Sequence, residues 1–108
     1  MILKNAAARA KFNEGKMGKA DLVLGTHLFA GLNSFEPGQV HDPHAHCDRD
    51  KLYVILQGTG ELKIGDEASI VESGDVALAP AGVVHSLNNP GPDRLVAMIV
   101  MAPPPSSC

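Results

Sequence analysis

The stretch Gly74-Asp75-Val76-Ala77-Leu78-Ala79-Pro80-Ala81-Gly82-Val83-Val84-His85-Ser86-Leu87-Asn88-Asn89 decides the fold. It holds two strand-like runs, Val76–Ala79 and Val84–Leu87, each too short for a helix and each bounded by turn residues. Ser73-Gly74-Asp75, Pro80-Ala81-Gly82 and Asn88-Asn89-Pro90-Gly91 supply the backbone angles that tight turns demand. The same alternation continues outward. Upstream lie Leu22–Leu24, His27–Phe35, Leu52–Gln57, Glu61–Ile64 and Ser69–Val71, and downstream lies Leu95–Met101. Glu36-Pro37-Gly38, Gly58-Thr59-Gly60 and Gly65-Asp66-Glu67 separate them. Connections this short allow mostly hairpins, which predicts antiparallel sheets closed into a sandwich or barrel.

Helical periodicity is confined to Ala6–Phe12, with Asn5 as its expected cap. The expected organisation is an N-terminal helical or irregular segment, 1–20, a β-barrel domain, 21–102, and a mobile proline-rich tail, 103–108. Leu52–Gln57 and Leu95–Met101 are apolar in both alternating sets, so both are expected to be buried on two sides. Glu61-Leu62-Lys63-Ile64 alternates and predicts one wet face.

The chain has 108 residues, 44% hydrophobic, with a net charge of −3, which supplies one core and no second domain. The negative balance, 4% aromatic content and absence of Trp argue against a nucleic-acid partner, which would need a basic face or stacking platform. No stretch approaches the ~20 apolar residues of a membrane span. Residues 1–12 lack the apolar core of a signal peptide, so the expected location is cytoplasmic. In that compartment Cys47 is expected to be a reduced, half-buried thiol, without a structural bond to Cys108 in the tail.

His44 and His46 are one residue apart, so on an extended strand both imidazoles project from one face, about 7 Å apart along the chain. Such a pair can chelate one metal ion, because neutral imidazole is a ligand for Fe, Mn, Ni, Cu and Zn. It can equally be a polar feature of a barrel mouth. Of the other histidines, His27 is expected to be structural on an early strand and His41 to be solvent-exposed in a loop. Met98 and Met101 read as core filler.

Gly38 to Gly58 spells G(x)5HxH(x)4K(x)6G, and Gly74 to Asn89 spells G(x)5PxG(x)2H(x)3N. Together, in this order and with fifteen residues between them, these resemble the two motifs of the cupin superfamily, in particular its small single-domain microbial members. The resemblance covers about half the chain. It implies an antiparallel jelly-roll β-barrel with a divalent transition metal held inside by His44, His46 and His85. It also implies a metal-dependent enzyme on a small organic substrate, of oxygenase, isomerase or lyase type, assembled as a homodimer.

The chain departs from the family motif at Lys51, where that motif has glutamate. An ammonium there repels a metal in a low-dielectric barrel. Three resolutions follow. In the preferred one, three histidines hold the metal with open positions, and Lys51 is turned aside or bound to Asp48 or Asp50. In the second, a bulge brings Asp50 into the carboxylate role, with Asp48 a poorer substitute. In the third no metal binds, and Lys51 is a pocket cation for an acidic ligand of a non-catalytic module, or a base if burial neutralises it. Lys51 and Tyr53 are thus the candidate catalytic residues; Tyr53 and Ile55 share the face of Lys51 and line the pocket if it points inward.

Overall fold

The computed structural model describes residues 1–105. A single 3-10 turn, Ala6–Arg9, precedes nine strands: β1 (Gly18–Leu24), β2 (Phe29–Phe35), β3 (Val40–His44), β4 (Asp50–Gln57), β5 (Thr59–Ile64), β6 (Glu67–Glu72), β7 (Val76–Ala79), β8 (His85–Asn88) and β9 (Leu95–Ala102). Two sheets form, ordered β1-β2-β9-β4-β7 and β3-β8-β5-β6, and every pairing is antiparallel. The expected all-β, antiparallel architecture is therefore what the chain adopts. No helix among the described residues is long and apolar enough to cross a membrane.

Between the sheets lies one apolar core, built on Phe35, Tyr53, Ile55, Leu62, Leu87, Leu95 and Ile99. Each such side chain contributes about 1.5–3 kcal/mol through its removal from water. A second cluster sits on the outer face of the five-stranded sheet. There Ala20, Leu32 and Val96 pack with Ala10 and Phe12, so the N-terminal segment covers that sheet. This explains why β9 is apolar on both faces: Leu95, Ala97 and Ile99 fill the core while Val96 is buried beneath the N-terminal segment. In β4 the inward set is Lys51, Tyr53 and Ile55, and the opposite set is half-buried.

The glycines bear out the turn reading where it matters most. Gly58 has φ +82°, and a Cβ there would lie 2.2 Å from the Arg94 carbonyl oxygen, so no larger residue fits between β4 and the start of β9. Gly82, also at φ +82°, closes the turn in which Val83 N–H donates to Pro80 O at 3.1 Å, just before His85.

Several expectations need correcting. β1 starts at Gly18, within the stretch expected to precede the barrel, because Gly18–Asp21 pairs with Ser34–Gly31 of β2. Asn5 precedes the 3-10 turn but makes no side-chain capping bond. His27 is exposed between β1 and β2 rather than on a strand, since the pairing starts only at Phe29. β3 was not legible as a strand: Val-His-Asp-Pro-His lacks alternation, and Pro43 is tolerated because β3 is a sheet edge. Of the tail expected to be mobile, residues 106–108 lie outside the described residues.

Candidate metal centre

The β3–β8 pairing sets His44 opposite His85, with ring centroids 4.2 Å apart. His46 follows in the loop after β3, its ring 5.1 Å from that of His44 and 5.4 Å from that of His85. One ligand atom from each of the three lies within 4.8 Å of the others. Backbone bonds fix this grouping. Gly82 N–H donates to His46 O at 2.7 Å, tying the turn before His85 to the His46 main chain.

The hydrogen bonds also orient the rings. His44 Nδ1 lies 2.8 Å from Asp42 O and His85 Nδ1 lies 2.9 Å from Val83 O. A carbonyl only accepts, so both Nδ1 atoms carry the proton and both Nε2 atoms keep a lone pair. The Nε2 atoms of His46 and His85 are buried with no hydrogen-bond partner among the described residues. Orphaned, convergent imidazole nitrogens fit a divalent transition ion, and a three-imidazole set suits Zn, Cu, Ni or Fe over hard cations. His46 differs in one respect. Arg49 Nη1 donates to its Nδ1 at 3.1 Å, so ligation through Nε2 requires the guanidinium to withdraw and leave Nδ1 to bear the proton.

Burial, with the nearby Lys51 charge, keeps all of these imidazoles in the neutral form that ligation needs. His85 is lowered to about 4, and His44 and His46 fall below the ordinary histidine range. His41 joins them, which corrects its expected place in solvent. It lies on β3, its ring is 4.3 Å from that of His44, its Nδ1 is buried without a partner among the described residues, and burial brings it to about 3. The cause is the register irregularity between His41 and His44, which brings both rings together. The Pro43 that hides the strand in the sequence lies within that irregularity.

Asp50 does not join the histidines. β4 pairs with β9 without a break from Asp50 to Ile55, so alternation turns Asp50 outward and Lys51 inward. Asp50 is exposed, and its Oδ1 accepts the Ala81 N–H at 2.9 Å. Asp48 pairs with Arg49 at 2.9 Å. Lys51 is therefore neither turned aside nor salt-bridged to either. It is 1% exposed, with Nζ 4.8 Å from the Tyr53 ring centroid, and burial lowers it to about 8. Tyr53 is fully buried, its hydroxyl without a hydrogen-bond partner among the described residues, and desolvation pushes that phenol up.

A cavity of about 330 Å³ opens beside the histidines, walled by His41, His44, His46 and Lys51 and by apolar Phe29, Ile99 and Met101. Lys51 lines it, but Tyr53 and Ile55, expected on the same wall, are in the packed core beneath. Cys47 is exposed and disulfide-bonded, not the reduced half-buried thiol expected. Pro105, the last described residue, lines the cavity beside His46 and Arg49. Cys108 lies outside the described residues.

Comparison with known proteins agrees with this geometry. The family profile described as Cupin domain matches residues 31–101. An uncharacterised protein of Streptomyces coelicolor is 29% identical over 80 residues, covering 74% of each chain. The mannose-1-phosphate guanylyltransferase of Klebsiella pneumoniae is 31% identical over 75 residues, 68% of this chain but 16% of that protein, so the present chain spans only a small part of such relatives. Among solved structures, TT1209 from Thermus thermophilus superposes with a TM-score of 0.92 at 30% identity, covering 97% of this chain and 100% of that one. An RmlC-like cupin protein from Desulfovibrio desulfuricans gives 0.85 at 22% identity, over 97% and 99% of the two chains, a likeness of fold.

Proposed function

This chain belongs to the cupin family, and from that premise we propose that it is a metal-dependent enzyme acting on a small organic substrate, of oxygenase, isomerase or lyase type. The observation that carries the reading is the pair of buried, unpartnered Nε2 atoms of His46 and His85 converging with His44. A divalent ion of Fe, Mn, Ni, Cu or Zn held there would supply Lewis-acid or redox chemistry. The chain itself does the rest. Asp42 O and Val83 O hold two of the imidazoles in the ligating tautomer. Phe29, Ile99 and Met101 keep bulk water from the cavity, and Lys51 presents a cationic donor inside it.

The test is elemental analysis of untagged protein. Near one equivalent of a single transition metal per subunit, lost in His44→Ala with the fold retained by circular dichroism, is the expected result. Wild type free of metal after growth in supplemented medium, or metal retained in His44→Ala, overturns it.

Assembly as a homodimer is part of the proposal. Ile70, Val76 and Leu78 stand exposed at the β6 and β7 sheet edges, an apolar surface that a second copy would cover. A monomer mass by light scattering at micromolar concentration removes this element.

A further inference from the structure

We propose that the cavity beside the histidines takes a small carboxylate, with its charge received by the Lys51 ammonium and its carbon skeleton laid against Phe29, Ile99 and Met101. This rests on the cavity being the substrate site and adds the chemical class of what enters.

Lys51 is almost completely buried, yet no carboxylate or hydrogen-bond acceptor meets its Nζ among the described residues. The acids near it in sequence are committed elsewhere, Asp48 to Arg49 and Asp50 to the Ala81 N–H. Of the charged residues that line the cavity, Lys19, Arg49 and Lys51 outnumber Asp21, and both Lys19 and Asp21 are exposed. The face of Tyr53 offsets part of the cost of burying an ammonium, but a ring quadrupole does not replace a counter-ion.

The missing negative charge has to be small, because the cavity is about 330 Å³. It is also set among apolar walls. Arg49, the other buried cation on the lining, already has its guanidinium engaged by Asp48 and His46 Nδ1, so the Lys51 ammonium, set beside Phe29, Ile99 and Met101, is the group left for a ligand and suits a monoanionic carboxylate with a hydrocarbon body. Phosphate is ordinarily held by guanidinium forks or clustered backbone N–H groups. Where the family motif carries a glutamate, this chain carries Lys51, so the acid that motif builds into the protein would arrive here with the ligand.

The chain supplies its own reporter, since Tyr53 is its one tyrosine, it has no tryptophan, and the ring faces Lys51 Nζ. Tyrosine emission is to be titrated with cyclohexanecarboxylate, with cyclohexanecarboxamide as the uncharged isostere, and with methyl phosphate. Zinc-loaded and chelator-stripped wild type, Lys51→Met and Lys51→Arg are compared, with zinc content and circular dichroism recorded on each sample. We expect the carboxylate to bind at least about tenfold more tightly than the amide, a loss of at least about tenfold in Lys51→Met, and partial recovery in Lys51→Arg. Equal binding of acid and amide, stronger binding of methyl phosphate, no saturable response to the acid up to about 10 mM, or full binding by a folded Lys51→Met protein each overturns the proposal. Binding that needs zinc and ignores Lys51→Met places the anion on the metal; the metal reading then survives and this one fails. Binding lost in Lys51→Met in a protein that never retains metal supports the carboxylate and defeats the metal reading.

Discussion

The Lys51 ammonium stands 4.8 Å from the centroid of the Tyr53 ring, and both residues are buried between the two sheets. A cation in that position weakens the empty protein. Lys51→Met keeps the length of the stem and removes the charge, so we expect the ligand-free, metal-free protein to gain about 1–3 kcal/mol at pH 7. The sign with pH follows from the lowered value. Lys51 is near 8 in the folded chain against 10.5 unfolded, so its destabilisation is complete below pH 8 and fades as pH rises towards 10.5. Urea melts at pH 7 and about pH 10 should show the advantage of Lys51→Met shrinking; a variant less stable than wild type at pH 7 would refute the account.

Arg49 limits the proposed metal site. Its guanidinium donates to His46 Nδ1 and adds a positive charge beside the three clustered histidines. Arg49→Met frees that nitrogen to carry the proton that Nε2 ligation requires, and zinc affinity should rise by about three- to tenfold. Arg49→Lys retains the charge without the planar fork and should fall between the two. Competition against a chromophoric chelator measures this, and weaker zinc binding by Arg49→Met would show that Arg49 supports ligation.

Acid should unfold the metal-free protein early. His41 is lowered to about 3 and His85 to about 4, against 6.5 in the unfolded chain. Between those values and 6.5 the unfolded chain binds more protons, so the stability these residues give in neutral form is whole above pH 6.5 and drains as pH falls. Thermal melts in chelator should drop by more than about 5 °C from pH 7 to pH 4.5, with a shallower slope in His41→Gln. A flat profile over that range would mean the imidazoles are not held neutral.

The fold and the clustering of three histidines were legible because both rest on local chemistry. Glycine and proline mark the turns wherever the chain must reverse, and the spacing of His44, His46 and His85 is a one-dimensional pattern. What the sequence hid depended on tertiary pairing. Alternation places Lys51 and Tyr53 on one face of β4, but Leu52, Val54 and Leu56 make the opposite face apolar too, so only the packed sheets reveal which set lies inside. His41 was missed because an irregular edge strand containing proline has no period to read. Cys47 was misread because its exposure and bonding depend on tertiary neighbours that nothing local to His46-Cys47-Asp48 marks.

Asn89, a fixed position of the second motif, offers a way to separate stability from metal retention. Its Nδ2 donates to Phe35 O at 3.0 Å and to Asp93 O at 2.9 Å, while its Oδ1 accepts the Gly91 N–H at 2.8 Å. One buried amide thus ties the end of β2 to the loop that leads into β9. Asn89→Asp would point a carboxylate oxygen at two carbonyls in a site that is 2% exposed, leaving both acceptors without a donor. The expected loss is about 2–4 kcal/mol. Asn89 stands four residues beyond His85, roughly 13 Å along an extended chain, so the folded fraction should bind zinc as wild type does. Urea melts and zinc titration on the same preparation check both halves. Undiminished stability would show the amide to be dispensable to the loop, whereas weakened zinc binding in folded protein would show that its effect reaches the histidines.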